Sequence, residues 1–164
     1  MAYATVDDMT RRFGERELIE LTDLENLPPS TIDMSKVGAA LDDAQSLIDG
    51  YVGQVYRLPL RGCASPTVSP GTLSLYVAPP QLVRLSCDLA RYYLYDDLAP
   101  ENEVYRRFGQ ARKELEAIST GATQLSCPYG GEPGELIAAS AQTGDEVSFS
   151  FAPRQITDES TRGY

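Results

Sequence analysis

Val37-Gly38-Ala39-Ala40-Leu41-Asp42-Asp43-Ala44-Gln45-Ser46-Leu47-Ile48-Asp49-Gly50-Tyr51 is the stretch whose reading decides the fold. Val37, Ala40, Leu41, Ala44, Leu47, Ile48 and Tyr51, continued by Val55, recur at i, i+3, i+4 and i+7, the spacing of one face of an α-helix. Asp42, Asp43, Gln45, Ser46 and Asp49 fall mostly on the opposite side. Gly50 and Gly53 each weaken such a helix by about 1 kcal/mol relative to alanine. That cost predicts close approach of another backbone, or a late bend. Pro59 ends the element, which is expected over residues 34–56.

Upstream, Thr5 followed by Asp8 reads as a helix N-cap with a weak capping-box partner. Val6, Met9 and Phe13 then share a face until Gly14 interrupts, and Leu18, Ile19 and Leu21 continue as a second short helix. Residues 24–35, with Pro28 and Pro29, form a connector. Downstream, residues 61–78 are rich in Gly, Ser, Thr and Pro and read as a long loop, with a short strand at Thr72–Val77. Pro79 and Pro80 open a helix over 80–97, with Leu82, Leu85, Leu89, Tyr92 and Tyr93 as its buried stripe. A further helix is expected over 100–120. Its residues Val104, Phe108, Ala111, Leu115 and Ile118 alternate steps of four and three, an interhelical seam. Gly121 stands where a C-terminal cap belongs.

After Gly121 the character changes. Residues 127–134 are a cluster of helix breakers, and Gly130-Gly131 and Gly134 read as a plain turn, since no phosphate-loop pattern follows. Val147-Ser148-Phe149-Ser150-Phe151 alternates as a half-buried strand does, and residues 136–142 could pair with it as a hairpin. Arg154 to Tyr164 is too polar to bury much. The fold class is mainly α: a bundle of about four to five helices with a small β-hairpin and an extended C-terminal tail. The expected division is a helical domain at 1–125, a loop and hairpin at 126–153, and a flexible tail at 154–164.

The chain has 164 residues, enough for one core. Its formal net charge is -10 and its histidine count is 0. Acidic balance argues against a reader of phosphate backbones. Absence of histidine removes Ser-His-Asp and Cys-His catalysis and most zinc sites. Asp7-Asp8, Asp42-Asp43 and Asp96-Asp97 are adjacent acids, which point about 100° apart on a helix and do not converge. No catalytic, metal-binding or cofactor-binding residue is assigned, no cofactor is expected, and the chain is expected not to be an enzyme. Cys63, Cys87 and Cys127 are odd in number and widely spaced, so a disulfide framework is not expected and the thiols read as buried or incidental. The opening residues carry no apolar run, and no stretch is long enough to cross a bilayer, so neither a signal peptide nor a membrane partner is expected. Arg106, Arg107, Arg112 and Lys113 interleave with Glu103, Glu114 and Glu116, as on an exposed helix face; in an oligomer they are candidate inter-subunit residues. Ten tyrosines hint at interfaces. Tyr51, Tyr92 and Tyr93 are read as core or boundary, and Tyr3, Tyr129 and Tyr164 as equally suited to contacting a partner.

Four ordered blocks of sequence carry a resemblance. They are Tyr3-Ala4-Thr5 with Arg12-Phe13-Gly14 and Glu17-Leu18-Ile19-Glu20-Leu21-Thr22; Ala44 to Tyr51 with Tyr56-Arg57-Leu58-Pro59-Leu60; Pro79-Pro80-Gln81-Leu82 with Asp88 to Leu94; and Arg107-Phe108 with Leu115 and Gly121. Together they resemble the Mu-like phage head–tail adaptor (connector) family over residues 1–125. The resemblance implies a virion structural protein, made in the host cytoplasm and placed in the neck between head and tail. Its copies would form a ring, a dodecamer matching the portal protein, that extends the DNA channel and offers a platform to a tail-side protein. DNA would pass without specific binding. The C-terminal extension would reach the portal or a neighbouring subunit through Arg154, Gln155, Ile156, Thr157, Asp158, Arg162 and Tyr164, and Asp42, Asp43 and Asp49 are candidates to face the channel. The competing readings are a stopper or tail-terminator protein of the same virion, and a small acidic phage regulator that binds a host protein.

Overall fold

The computed structural model describes residues 2–26, 28–65, 76–95 and 102–137. Three of the described helices begin where a side chain satisfies free backbone N–H groups. In α1 (Val6–Phe13) the Thr5 hydroxyl accepts from the Asp8 N–H while the Asp8 carboxylate accepts from the Thr5 N–H, a complete capping box. Asp7 and Asp8 in its first turn and Arg11 and Arg12 in its last complement the helix dipole. Gly14, at φ 92°, turns the chain directly into α2 (Glu15–Thr22). The Asp33 carboxylate caps α3 (Met34–Val52), accepting from the N–H groups of Ser35 and Lys36. Pro80 occupies the first position of α4 (Pro80–Tyr93), where a missing N–H costs nothing. Asn102 caps α5 (Glu103–Ser119) through the Val104 N–H.

α3, α4 and α5 pack on one another, and α1 lies against both α3 and α4. The periodic residues meet at the centre. Val37, Ala44, Ile48, Val52, Leu82, Leu85, Leu89, Leu115 and Ile118 are fully enclosed, together with Met9 of α1 and Leu18 of α2. The seam of α5 is as expected: Val104, Ala111, Leu115 and Ile118 are buried and Phe108 is half-buried against the core. Tyr51 and Tyr92 are half-buried boundary residues, whereas Tyr93, read with them as part of the buried stripe, is exposed at 36%. Tyr3, read as a candidate partner contact, is instead core at 6% exposure.

Three elements differ from expectation. α3 stops at Val52, and Gly53 caps it, its N–H donating to the Asp49 carbonyl. A Cβ on Gly53 would sit 2.7 Å from the Asp49 carbonyl oxygen and 3.2 Å from Leu58 Cδ1, so a close approach is found there, whereas Gly50 faces open space. α4 ends at Tyr93 and not at 97. The expected strand at 72–77 is reduced, within the described residues, to β2 (Tyr76–Val77), antiparallel to β1 (Cys63–Ala64). The hairpin strand at Val147–Phe151, the partner segment beyond Ile137, and the tail lie outside the described residues.

The segment 125–137 runs back along residues 55–64. Tyr56 bridges Leu136 and Cys63 bridges Gly131. The N–H groups of Arg57, Arg61, Ala64 and Ile137 donate to the carbonyls of Glu135, Pro133, Gly130 and Val55. Gly131, at φ 86°, is required here: a Cβ would fall 2.8 Å from the Ala64 nitrogen. This ladder places Cys63 and Cys127 side by side, and they form a disulfide across a sequence separation of 64 residues. The expectation of unpaired, incidental thiols is thus corrected for two of the three. It holds for Cys87, which is buried and free, its thiol pushed up to about 11 by desolvation.

Candidate interaction surfaces

Two helices carry the charged residues singled out in the sequence. On α3, Asp42 and Asp43 are exposed. Asp49, one of the same set, is half-buried, and its carboxylate accepts a hydrogen bond from the Tyr3 hydroxyl. Burial first, and then that carboxylate, hold the Tyr3 phenol far above its ordinary pKa. Asp49 therefore anchors the N-terminal segment to α3.

On α5, Arg107 pairs with Glu103 at 2.6 Å. Arg106, Arg112 and Lys113 are exposed, and none of them forms an ion pair with a described residue. The Arg112 guanidinium lies 5.9 Å from the centre of the Phe108 ring. Phe108 stacks on Tyr92 at 3.9 Å between centroids, with Tyr93 and Tyr105 meeting the stack edge-on. Beside this stack is a groove of about 260 Å³ lined by Tyr51, Tyr105, Phe108, Gly109, Arg112, Lys113 and Glu116. A Cβ on Gly109 would meet nothing within 4 Å, so the groove stays open above it. The acids of α3 and the bases of α5 are thereby neighbours: Asp43 raises and Arg112 lowers the pKa of the same phenol, Tyr93, whose net upward shift comes mainly from burial.

A second surface is the connector between α2 and α3. The buried Asp23 carboxylate accepts from the Asn26 side chain at 2.8 Å, from the Asn26 N–H at 3.3 Å, and from the N–H groups of Ser30 and Thr31 at 2.9 and 3.3 Å. These bonds hold its pKa below the ordinary carboxylate value. Thr22 Oγ1 accepts from the Asp33 N–H, and Lys36 Nζ donates to the Thr22 carbonyl. On this braced loop Leu24 is 66% exposed, and Met34, the first residue of α3, is 62% exposed.

Sequence reasoning did not single out Asp88. It is buried on α4, one carboxylate oxygen has no hydrogen-bond partner, and the other is 3.8 Å from Arg84. Desolvation raises its pKa against the opposing pull of Arg12, Arg107, Arg84 and Arg91. Only its position in an otherwise apolar stripe could have signalled this. Arg84 also pairs with Glu114 of α5, and Arg91 pairs with Glu17 of α2 at 2.6 Å while lying over the Phe13 ring. These arginines brace α2 and α5 against α4. Tail residues Arg154, Gln155, Ile156, Thr157, Asp158, Arg162 and Tyr164 lie outside the described residues.

Among the described residues no group of three or more His, Cys, Asp or Glu is placed to hold a metal, and no helix is long and apolar enough to cross a membrane. The described residues form a small helical domain that exposes a mixed aromatic and charged groove on α5 and a leucine, Leu24, on a hydrogen-bonded connector. The family model of bacteriophage Mu Gp36 matches residues 3–140, and the chain belongs to that family. Among its relatives are the Mu-like prophage FluMu protein gp36 of Haemophilus influenzae, 28% identical over 123 residues, covering 75% of this chain and 74% of the relative. Gene product J of Escherichia phage Mu is 30% identical over 127 residues, covering 75% of each chain.

Proposed function

We propose that this phage-family protein is a non-enzymatic head–tail joining protein: a ring of copies under the portal that extends the DNA channel and receives a tail-side protein. The observation that carries the reading is the α5 face. Three exposed cations that make no ion pair with a described residue flank exposed aromatics, in a chain that matches a phage family along most of its length. Aromatic side chains and arginine are the types enriched where proteins meet. The negative total charge of -10 suits a wall past which DNA slides. Asp42 and Asp43, exposed on α3, are the acids assigned to such a wall, and Asp49 much less so, because its carboxylate receives the Tyr3 hydroxyl. The tail from Arg154 to Tyr164 is assigned to the portal or to a neighbour, and the site of action to the virion neck after synthesis in the host cytoplasm.

The test is to mix the purified chain with its cognate portal protein and image the product by electron microscopy. A ring of added density at the portal's narrow end is expected. A chain lacking residues 154–164 should keep its helical circular dichroism and fail to dock. No added density from the intact, folded chain would overturn the adaptor reading in favour of a stopper, a tail terminator or a regulator of a host protein.

A further inference from the structure

A ring needs two different faces on each subunit that fit one another. We infer that the braced Leu24 loop of one subunit seats in the groove between α3 and α5 of its neighbour, so that the occupant of the groove is a second copy of this chain. This rests on the ring reading and names its contact.

Four observations converge. The first is apolar exposure: Leu24, on the loop, and Met34, the first residue of α3, are among the most exposed large apolar residues described. The second is bracing. Asp23 accepts four hydrogen bonds from residues 26, 30 and 31, and Thr22 and Lys36 tie the start of α3 to the end of α2. Backbone already held by such bonds loses less conformational entropy on binding.

The third observation is charge. Residues 5–25 carry seven acids and three bases. Glu15 and Glu25 are exposed and make no ion pair with a described residue. The groove side offers the complement in Arg106, Arg112 and Lys113, which make no ion pair with a described residue, against one acid in its lining, Glu116. Each set completes the other, which favours a head-to-tail contact over a symmetric pairing of like faces. The fourth is placement. The loop joins α2 to the start of α3, whereas the groove is lined by α5 and by Tyr51 near the end of α3, so one subunit presents both without using the same surface twice. Gly109 leaves the groove floor clear for an incoming side chain.

The experiment places benzoylphenylalanine at position 24 of the full chain in place of Leu24, irradiates the assembled complex with the portal, and maps the cross-linked peptides by mass spectrometry. Gly109→Trp and Lys113→Glu are tested in parallel for assembly, with circular dichroism melting as the control for folding. Cross-links from position 24 into residues 105–116, and at least tenfold weaker assembly of either variant at an unchanged melting temperature, are the expected result. A ring whose cross-links fall elsewhere, or whose assembly tolerates both substitutions, overturns the contact and leaves the ring. If the unmodified chain forms no ring, the ring reading falls and the contact falls with it.

Discussion

Replacing Cys63 and Cys127 together by alanine should cost the domain about 4 kcal/mol. The bridge spans 64 residues of sequence and encloses both α4 and α5. Cross-linking restricts the unfolded chain, and the loop-entropy relation gives about 4.3 kcal/mol at 25 °C for a loop of this length. Measured effects cluster at about 2–4 kcal/mol, so the relation sets the upper end. For a chain of this size each kcal/mol moves the melting temperature by roughly 2–4 °C, so a fall of about 8–16 °C is expected. The assay is thermal circular dichroism at 222 nm with and without a thiol reductant. The unmodified chain should melt lower when reduced, and the double variant should be indifferent to reductant. Helical signal before melting should be the same in all samples, because the bundle core of Leu82, Leu85, Leu89, Leu115 and Ile118 does not depend on the bridge. A midpoint that ignores both the substitution and the reductant would refute the argument. So would three reactive thiols in the unfolded, unreduced chain, where the pairing leaves only Cys87.

Two further perturbations probe the core. Leu115→Asp puts a carboxylate at a fully enclosed position of α5, and Leu115→Ala should already cost about 2–5 kcal/mol; the aspartate variant should show no cooperative melt, and a normal melting curve would sink the seam. Asp88→Asn removes a buried charge whose folded-state pKa lies above the usual carboxylate value. Because the folded state holds the proton more tightly than the unfolded one, ionisation at neutral pH destabilises the native chain, and the penalty fades as pH falls through the raised pKa toward 3.8. The asparagine variant should therefore be the more stable at pH 7, with the gap closing by pH 4 in paired urea titrations; a gap that widens on acidification would reverse the sign of the reasoning.

The helices were legible because their causes are local. Thr5 with Asp8, Pro80 at a helix start, and the apolar period through Ile48 and Leu115 act within a few residues, and a single chain displays them. The same period marks Leu82 and Leu115 as inward-facing without saying that α4 and α5 carry them to one place. What tertiary structure alone decided concerns pairs far apart in sequence. Cys63 meets Cys127 because residues 125–137 return along 55–64 through isolated bridges and single backbone hydrogen bonds, which leave no repeating pattern to read. Tyr3 is core because Asp49 lies one helix away to receive its hydroxyl, and Asp88 is buried because α1 and α5 close over it. Sequence by itself determined which segments are helical and which side of each is apolar, since backbone geometry repeats every few residues. Only the packed chain decided which cysteines pair, which acids are withdrawn from solvent, and which of the described cations find an ion-pair partner, since those depend on distances that no local period encodes.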